Sequence, residues 1–480
     1  MKNSKLLIML AAVLSTLWAC GGDDSTDPIS VNSYTSPKVV SISPADGATG
    51  VAIGVINMVV TYDQKIIATP SESQKIVMTS GHPLYMSAAD KQLTIQLDCW
   101  EYETRVTVTL PKGLIKSVHG VESEETTVSF TTEEDPDKYN NSISTTPSTN
   151  ANEEAYRLYT FLYNQYKIAT VSSVMANVNW NNTIAERIHT DTGIYPAMNC
   201  YDFIHIHVPD GNGWIDYSDI TPVKQWADAG GLVQLMWHFN VPTSENDVPN
   251  SSGNGVTYKP SETTFQAKNA LVEGTWEHLW FYQQMGRVAD VILKLQEAGI
   301  AATWRPFHEA AGNATALQQS EWTTAWFWWG ADGAQTYKEL WHAMYNYFQQ
   351  RGIRNLLWVW TTQNYNGRND YYAQDTDWYP GDEYVDIIAR DMYGSTVDEN
   401  VQEFREISRT YPTKMVALGE CGKNGTVLND FADIEEAFTA GAKWGYFMGW
   451  YGDVLPSNNW WNKALNSPYV ITREQVIERY

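Results

Sequence analysis

Two glutamates stand where a chain could do acid–base work. Glu309 lies in "TWRPFHEAAGN" (303–313), four residues after Arg305 and directly after His308. Glu420 lies in "VALGECG" (416–422). Each closes an apolar, β-forming run. Two carboxyl groups, one protonated and one ionised, can cleave a glycosidic bond. Held ~5–5.5 Å apart, they give a covalent intermediate and retention of configuration. The protonated member needs a raised pKa, which partial burial and a negative neighbour supply. A second constellation is His205-x-His207, with His238 further on. Two imidazoles on one strand face occur in metal-dependent barrel hydrolases. Those enzymes carry the pair on the first strand, with further ligands later. Here the pair falls on the second, and only His238 offers a third nitrogen. No CxxC or other metal spacing exists. The expectation is therefore no metal and no cofactor.

Such residues need a frame. From residue 151 onward, apolar runs rich in Val, Ile, Met and aromatics alternate with amphipathic helical segments. The runs are 169–178, 195–207, 232–240, 301–309, 356–364, 385–394, 414–422 and 444–453. Several helical segments end in glycine just before the next run, as helix C-caps do. Eight strand–helix units predict a (β/α)8 TIM barrel over 151–480. In that fold the chemistry sits at the carboxyl ends of the strands. Polar residues passing that filter are Asp202, His205, His207, His238, His308, Glu309, Trp360, Gln363, Asp391, Tyr393, Glu420, Trp450 and Asp453. The two glutamates end the fourth and seventh strands, across the barrel mouth from one another. Arg305, four residues before Glu309 on an alternating strand, points into the barrel. There it serves either as a buried ion pair or at the site.

Ahead of the barrel, residues 37–133 show short alternating strands with turn residues between them. That pattern predicts an all-β Ig-like sandwich. Residues 21–36 and 134–150 read as linkers. The amino terminus has a basic start, then "LLIMLAAVLSTLWA", too short to span a membrane and suited to a signal peptide. It ends in "LWAC", which resembles a bacterial lipobox with Cys20 lipidated; the "GGDDSTD" that follows resembles the surface-export signal of Bacteroidetes lipoproteins. The expectation is an outer-membrane lipoprotein, membrane contact being through that anchor alone. Cys99, Cys200 and Cys421 make an odd set, so free buried thiols are expected.

The formal charge of −24 disfavours nucleic acid and anionic membrane surfaces as partners. The 21 Trp and 28 Tyr offer flat apolar faces with polar edges, which suit sugar rings.

The segment 145–480 resembles glycoside hydrolase family 26, through "RPFHE" followed by Gly312 and "WFWWG" (326–330), "DMYG" (391–394) and "LGECG" (418–422). The resemblance implies Glu309 as acid/base and Glu420 as nucleophile. It implies Tyr393 as the nucleophile's hydrogen-bond donor, and His238 as a contact to the sugar at the cleavage point. Trp326 and Trp450 would be aromatic walls; from their place at the strand ends His308, Trp360 and, where it is not a buried ion pair, Arg305 are expected as further substrate contacts. The chain departs from the compact family pattern at residues 313–325, which separate Gly312 from Trp326. The implied activity is a retaining endo-β-1,4-mannanase on mannan, galactomannan or glucomannan, working as a monomer. Alternatives are mixed-linkage β-glucan or β-1,3-xylan as substrate, mannobiose release from chain ends, or a non-catalytic surface glycan-binding lipoprotein.

Overall fold

The computed structural model describes residues 34–480, apart from 134, 136–141, 178–179, 210, 212, 248–254, 313–324, 364–374 and 426–428. The lipobox with Cys20, and all but Ala325 of the insertion 313–325, lie outside the described residues. The chain divides into two units, residues 1–135 and 136–480.

The first unit is a sandwich of two four-stranded sheets. One orders Val39–Ser43, Gly54–Tyr62, Gln92–Cys99 and His82–Ala89; the other orders Ala48–Val51, Thr126–Thr132, Arg105–Leu110 and Val77–Met78. Alternation puts one face of each strand inside. Met58, Val60, Leu93, Ile95, Leu97, Val106, Val108, Val128 and Phe130 form the shared core. His82–Ala89 gives no clean alternation in sequence. It is an edge strand, where Pro83 is tolerated and the register shifts beside it.

The second unit is a closed parallel barrel. Its strands are Thr170–Met175, Met198–Asp202, Leu232–Trp237, Ala302–Pro306, Leu356–Thr362, Ile387–Tyr393, Met415–Gly422 and Tyr446–Gly449. Each pairs with the next, and the first pairs with both second and eighth, which closes the ring. These strands are buried on both faces, so they read as near-continuous apolar runs. The interior near the mouth is lined by Met175, Cys200, Met236 and Met448. Cys99, Cys200 and Cys421 are free and buried.

The stretch read as the second linker is tied down in its later half. Ser142 Oγ donates to the Pro412 carbonyl at 3.1 Å, and Tyr159 OH to the Ser144 carbonyl at 2.8 Å. Asp386 then gathers four donors. Its Oδ1 accepts from the amides of Ser148 (2.8 Å) and Thr149 (3.0 Å), and its Oδ2 from Thr149 Oγ1 (2.7 Å) and the Trp358 amide (2.8 Å). Residues 142–150 thus belong to the barrel, because one buried carboxylate needs their donors. Asp386→Ala would orphan those donors and should destabilise the barrel by at least ~2 kcal/mol. Urea unfolding followed by tryptophan fluorescence checks this; a loss below ~0.5 kcal/mol would show the latch to be incidental.

Candidate active site

The fourth strand stops at Pro306, and the chain turns sharply. Phe307 and Glu309 both take left-handed backbone conformations, φ 47° and 51°. Such conformations cost about 1–3 kcal/mol each in a non-glycine residue and persist only where surroundings enforce them. Here Trp329 Nε1 donates to the His308 carbonyl at 2.9 Å. The Gly312 amide donates to the Glu309 carbonyl at 3.1 Å and to Gln363 Oε1 at 3.0 Å. Phe307 is fully packed beneath. The turn lifts Glu309 off the strand and holds it at the mouth, half-buried.

Glu420 sits within the seventh strand, 4% exposed. The register between sixth and seventh strands slips by one residue. Arg390 pairs with Leu418, and Asp391 with Glu420. The extra residue is Gly419, where a β-carbon would stand 2.6 Å from Asp391 Oδ1. Only glycine permits this bulge, which sets two carboxylates side by side. Arg305 points inward, as strand alternation requires, and lies between them. Its Nη1 donates to Asp391 Oδ2 at 2.9 Å and to Thr361 Oγ1 at 3.0 Å, while Nη2 donates to Glu420 Oε1. Tyr393 OH donates to Glu420 Oε2 at 2.6 Å. One carboxylate oxygen each from Glu309, Asp391 and Glu420 lie within 4.8 Å of one another.

These neighbours set the charge states. Burial, then Asp391 and Glu420, push the Glu309 carboxyl well above the ordinary glutamate range, against weaker pulls from Arg305 and Arg390. Burial pushes Asp391 up to about 7; Arg305 pulls it down and Glu420 pushes it up. Burial and the Glu420 charge keep the Tyr393 phenol protonated, so it remains a donor. The three carboxyls could in principle face a divalent cation. A guanidinium already neutralises two of them, so the donor set fits an acid–nucleophile pair better than a metal cage.

His238 stands beside this group. Its amide donates to Asp202 Oδ1 at 3.0 Å, and Nδ1 meets Asp202 Oδ2 at 2.5 Å. With Nδ1 donating to that carboxylate, a neutral ring leaves Nε2 to accept from His308 Nε2 at 3.2 Å. Burial, His238 and Arg305 hold the His308 ring pKa well below ordinary, so it stays neutral.

The aromatic residues divide. The Trp450 ring lies 5.9 Å from that of His238, and Trp326 is half-buried at the rim. Phe327, Trp328 and Trp329 pack inward. Trp360 does not face the cleft. It is 1% exposed, with its ring against Tyr379 (5.1 Å) and Tyr411 (5.7 Å). Strand alternation explains this: Thr361 faces Arg305 inside, so Trp360 faces the helix layer. Arg305 is likewise no substrate contact; its side chain is 5% exposed and engaged with two acids. His205 and His207 do not share a strand face. The second strand ends at Asp202, and both lie in the turn beyond it, ring centroids 6.4 Å apart. The partners that sequence reading left without roles are Asp391 and Asp202. Both were visible as acids at strand ends.

Three comparisons bear on this arrangement. The family model for glycosyl hydrolase family 26 matches residues 147–475, and that for a bacterial Ig-like domain matches 33–132. The solved GH26 domain of a Prevotella bryantii endo-β-mannanase/endo-β-glucanase is 54% identical, with a TM-score of 0.67, covering 69% of this chain and 99% of that one. The β-mannanase from a symbiotic protist of the termite Reticulitermes speratus, solved with a gluco-manno-oligosaccharide, is 29% identical, with a TM-score of 0.55, over 70% and 98%. A Piromyces mannan endo-1,4-β-mannosidase B is 30% identical over 286 residues, 58% of this chain and 43% of its own length. The chain thus spans less than half of that relative.

Removing one negative neighbour should make Glu309 a stronger acid. In Asp391→Asn the high-pH limb of kcat/KM should move to lower pH, since Glu309 then loses its proton earlier. A limb unmoved, or moved upward, contradicts the charge argument.

Proposed function

The chain belongs to glycosyl hydrolase family 26, and from that premise we propose that its barrel is a retaining endo-β-1,4-mannanase. One observation carries the reading: one oxygen each of Glu309 and Glu420 lie within 4.8 Å, close enough for the retaining arrangement and too close for the ~6.5–9.5 Å of the inverting one, with the Glu309 carboxyl pushed up by burial and Glu420 bonded to Arg305 and Tyr393. Glu420, held by Arg305 and Tyr393, attacks the anomeric carbon. Glu309 protonates the departing glycosidic oxygen, and a glycosyl ester on Glu420 results. Glu309, now ionised, takes a proton from water; the hydroxide oxygen attacks the same carbon, and the ester bond breaks with Glu420 regenerated. Configuration is retained through two inversions. His238 is the proposed contact to a sugar hydroxyl, with Trp326 and Trp450 as walls; His308, 2% exposed and bonded to His238, is a positioning residue for that ring rather than a substrate contact.

Mannan as substrate, and cleavage within the chain, are supported by the names of the relatives. Glu420→Ala should lower kcat by more than about a thousandfold with melting temperature retained. Early products from galactomannan should form a ladder. A fully active Glu420→Ala enzyme sinks the assignment, and mannobiose as sole early product sinks the endo mode. We further infer attachment to the outer membrane through Cys20, supported by the pattern of residues 1–27 alone. Cys20→Ser should move the protein from the membrane fraction to the soluble one; an unchanged distribution refutes the anchor.

A further inference from the structure

The loop between the second barrel strand and the helix Thr221–Asp228 carries Trp214, which is 52% exposed. No other tryptophan among the described residues is as open to water. The loop is tied at several points. Tyr217 OH donates to the Asp202 carbonyl at 2.8 Å, Asn240 Nδ2 to the Ile204 carbonyl at 2.9 Å, and Lys294 Nζ to the Ser218 carbonyl at 2.9 Å. Arg287 Nη2 donates to the Val208 carbonyl at 2.8 Å. Trp180 is buried under the loop, with rings of Tyr201, Phe203 and Tyr217 around it and Nε1 donating to the Asp219 carbonyl at 2.8 Å. A chain so restrained keeps the Trp214 ring about half exposed, with His205 alongside at 4.5 Å between ring centroids.

Trp214 borders a recess of about 420 Å³ that Trp180, Asn181, Asp216 and Asp219 also line. Its polar groups are suited to hydroxyls. Asp216 and Asp219 each use Oδ1 to accept a backbone amide, from Ser218 and Thr221, both at 2.9 Å. A carboxylate offers about four acceptor sites, so capacity for hydroxyl donors remains. Asn181 accepts the Thr183 amide with Oδ1 at 3.1 Å, which directs its amide hydrogens elsewhere. Two carboxylates disfavour an anionic ligand, and three polar side chains disfavour a purely apolar one. A flat ring beside hydroxyl-binding groups fits a neutral sugar.

The position matters as much as the chemistry. Trp180 and Asn181 follow the carboxyl end of the first strand, and Trp214, Asp216 and Asp219 that of the second, on the barrel face that carries Glu309 and Glu420. Asp202 joins the two places. Its carboxylate holds His238 through two bonds and the Ile204 amide at 2.9 Å, while its carbonyl holds Tyr217. The recess is therefore fixed relative to the catalytic group.

We propose that the recess framed by Trp214, Trp180, Asn181, Asp216 and Asp219 is a distal subsite for one hexose of a neutral β-linked polysaccharide whose chain crosses the carboxylates. The sugar stacks on Trp214 and gives its hydroxyls to Asn181, Asp216 and Asp219. The inference rests on the polysaccharide-hydrolase reading of the barrel.

The test compares kcat/KM on galactomannan with kcat/KM on mannotriose. In Trp214→Ala the polymer-to-trimer ratio should fall about three- to tenfold, the size of one aromatic contact. Trp214→Phe should recover much of it. A folding defect cancels in the ratio, because both substrates report the same active fraction. An unchanged ratio overturns the subsite while leaving the hydrolase reading standing. Should the wild-type enzyme cleave none of β-mannan, mixed-linkage β-glucan and β-1,3-xylan, the hydrolase reading fails instead. The subsite is then judged by affinity electrophoresis of the full chain in those three polysaccharides. Retardation that Trp214→Ala weakens supports it, and retardation equal in both, or none, removes it.

Discussion

Arg305 is a buried cation set between two buried carboxylates, and the charge state of the whole barrel mouth follows from it. Taking an ion out of water costs several kcal/mol unless its partners and hydrogen bonds repay it. Arg305 meets that condition through Asp391, Glu420 and Thr361. One guanidinium cannot satisfy three carboxyls. Glu309, the third member within 4.8 Å, lies outside its hydrogen-bond set. Protons in such a group belong to the ensemble of acids, and they settle where the cation is not. Burial and the lack of a cation of its own thus suit Glu309 to the proposed role of acid, and the bond from Arg305 suits Glu420 to that of nucleophile.

Backbone geometry is shaped to serve that arrangement. Gly419 is absent of side chain because Asp391 occupies the space, and the slipped register there puts Asp391 beside Glu420. Beside Arg305 the barrel is lined with Met175, Cys200, Met236 and Met448, which fill space without adding charge. A further acid or lysine there would upset the charge balance beside it. The left-handed turn at Phe307 and Glu309 is the local strain that this site carries, and the packed Trp329 and Phe307 hold it in place.

Much of this was legible in the chain. Eight apolar runs coincide with eight strands, because parallel barrel strands are buried on both faces and cannot alternate polar residues outward. Alternation also placed Arg305 inside correctly. The same parity, applied from Arg305 across to the fifth strand, would have put Thr361 inside and Trp360 outside. The error came from treating every residue at a strand end as facing the mouth. The histidines at 205 and 207 misled differently. The apolar run continues past Asp202 because the loop itself is buried, so hydrophobicity did not mark where pairing stopped. Asp391 was visible as an acid, but its place beside Glu420 depends on a bulge between two strands. That is a non-local feature that no single run of residues announces.

The two glutamates are supported unequally, and the inequality has a mechanical reading. Glu420 is inside a strand, with a donor on each oxygen, and its proposed task is one attack along one line. Glu309 is on a strained turn, its carboxyl without a hydrogen bond among the described residues, and its proposed task changes sign between the two half-reactions. A donor fixed upon its carboxyl would stabilise the anion and weaken it as an acid; an acceptor fixed there would hold its proton and weaken it as a base. Holding the main chain of Glu309 rigidly, through His308 and Gly312, with no hydrogen bond on its carboxyl among the described residues, suits one residue to both proposed steps. The turn therefore gives precision to the backbone, while burial and the neighbouring charges push the carboxyl towards the protonated state from which its proposed task starts.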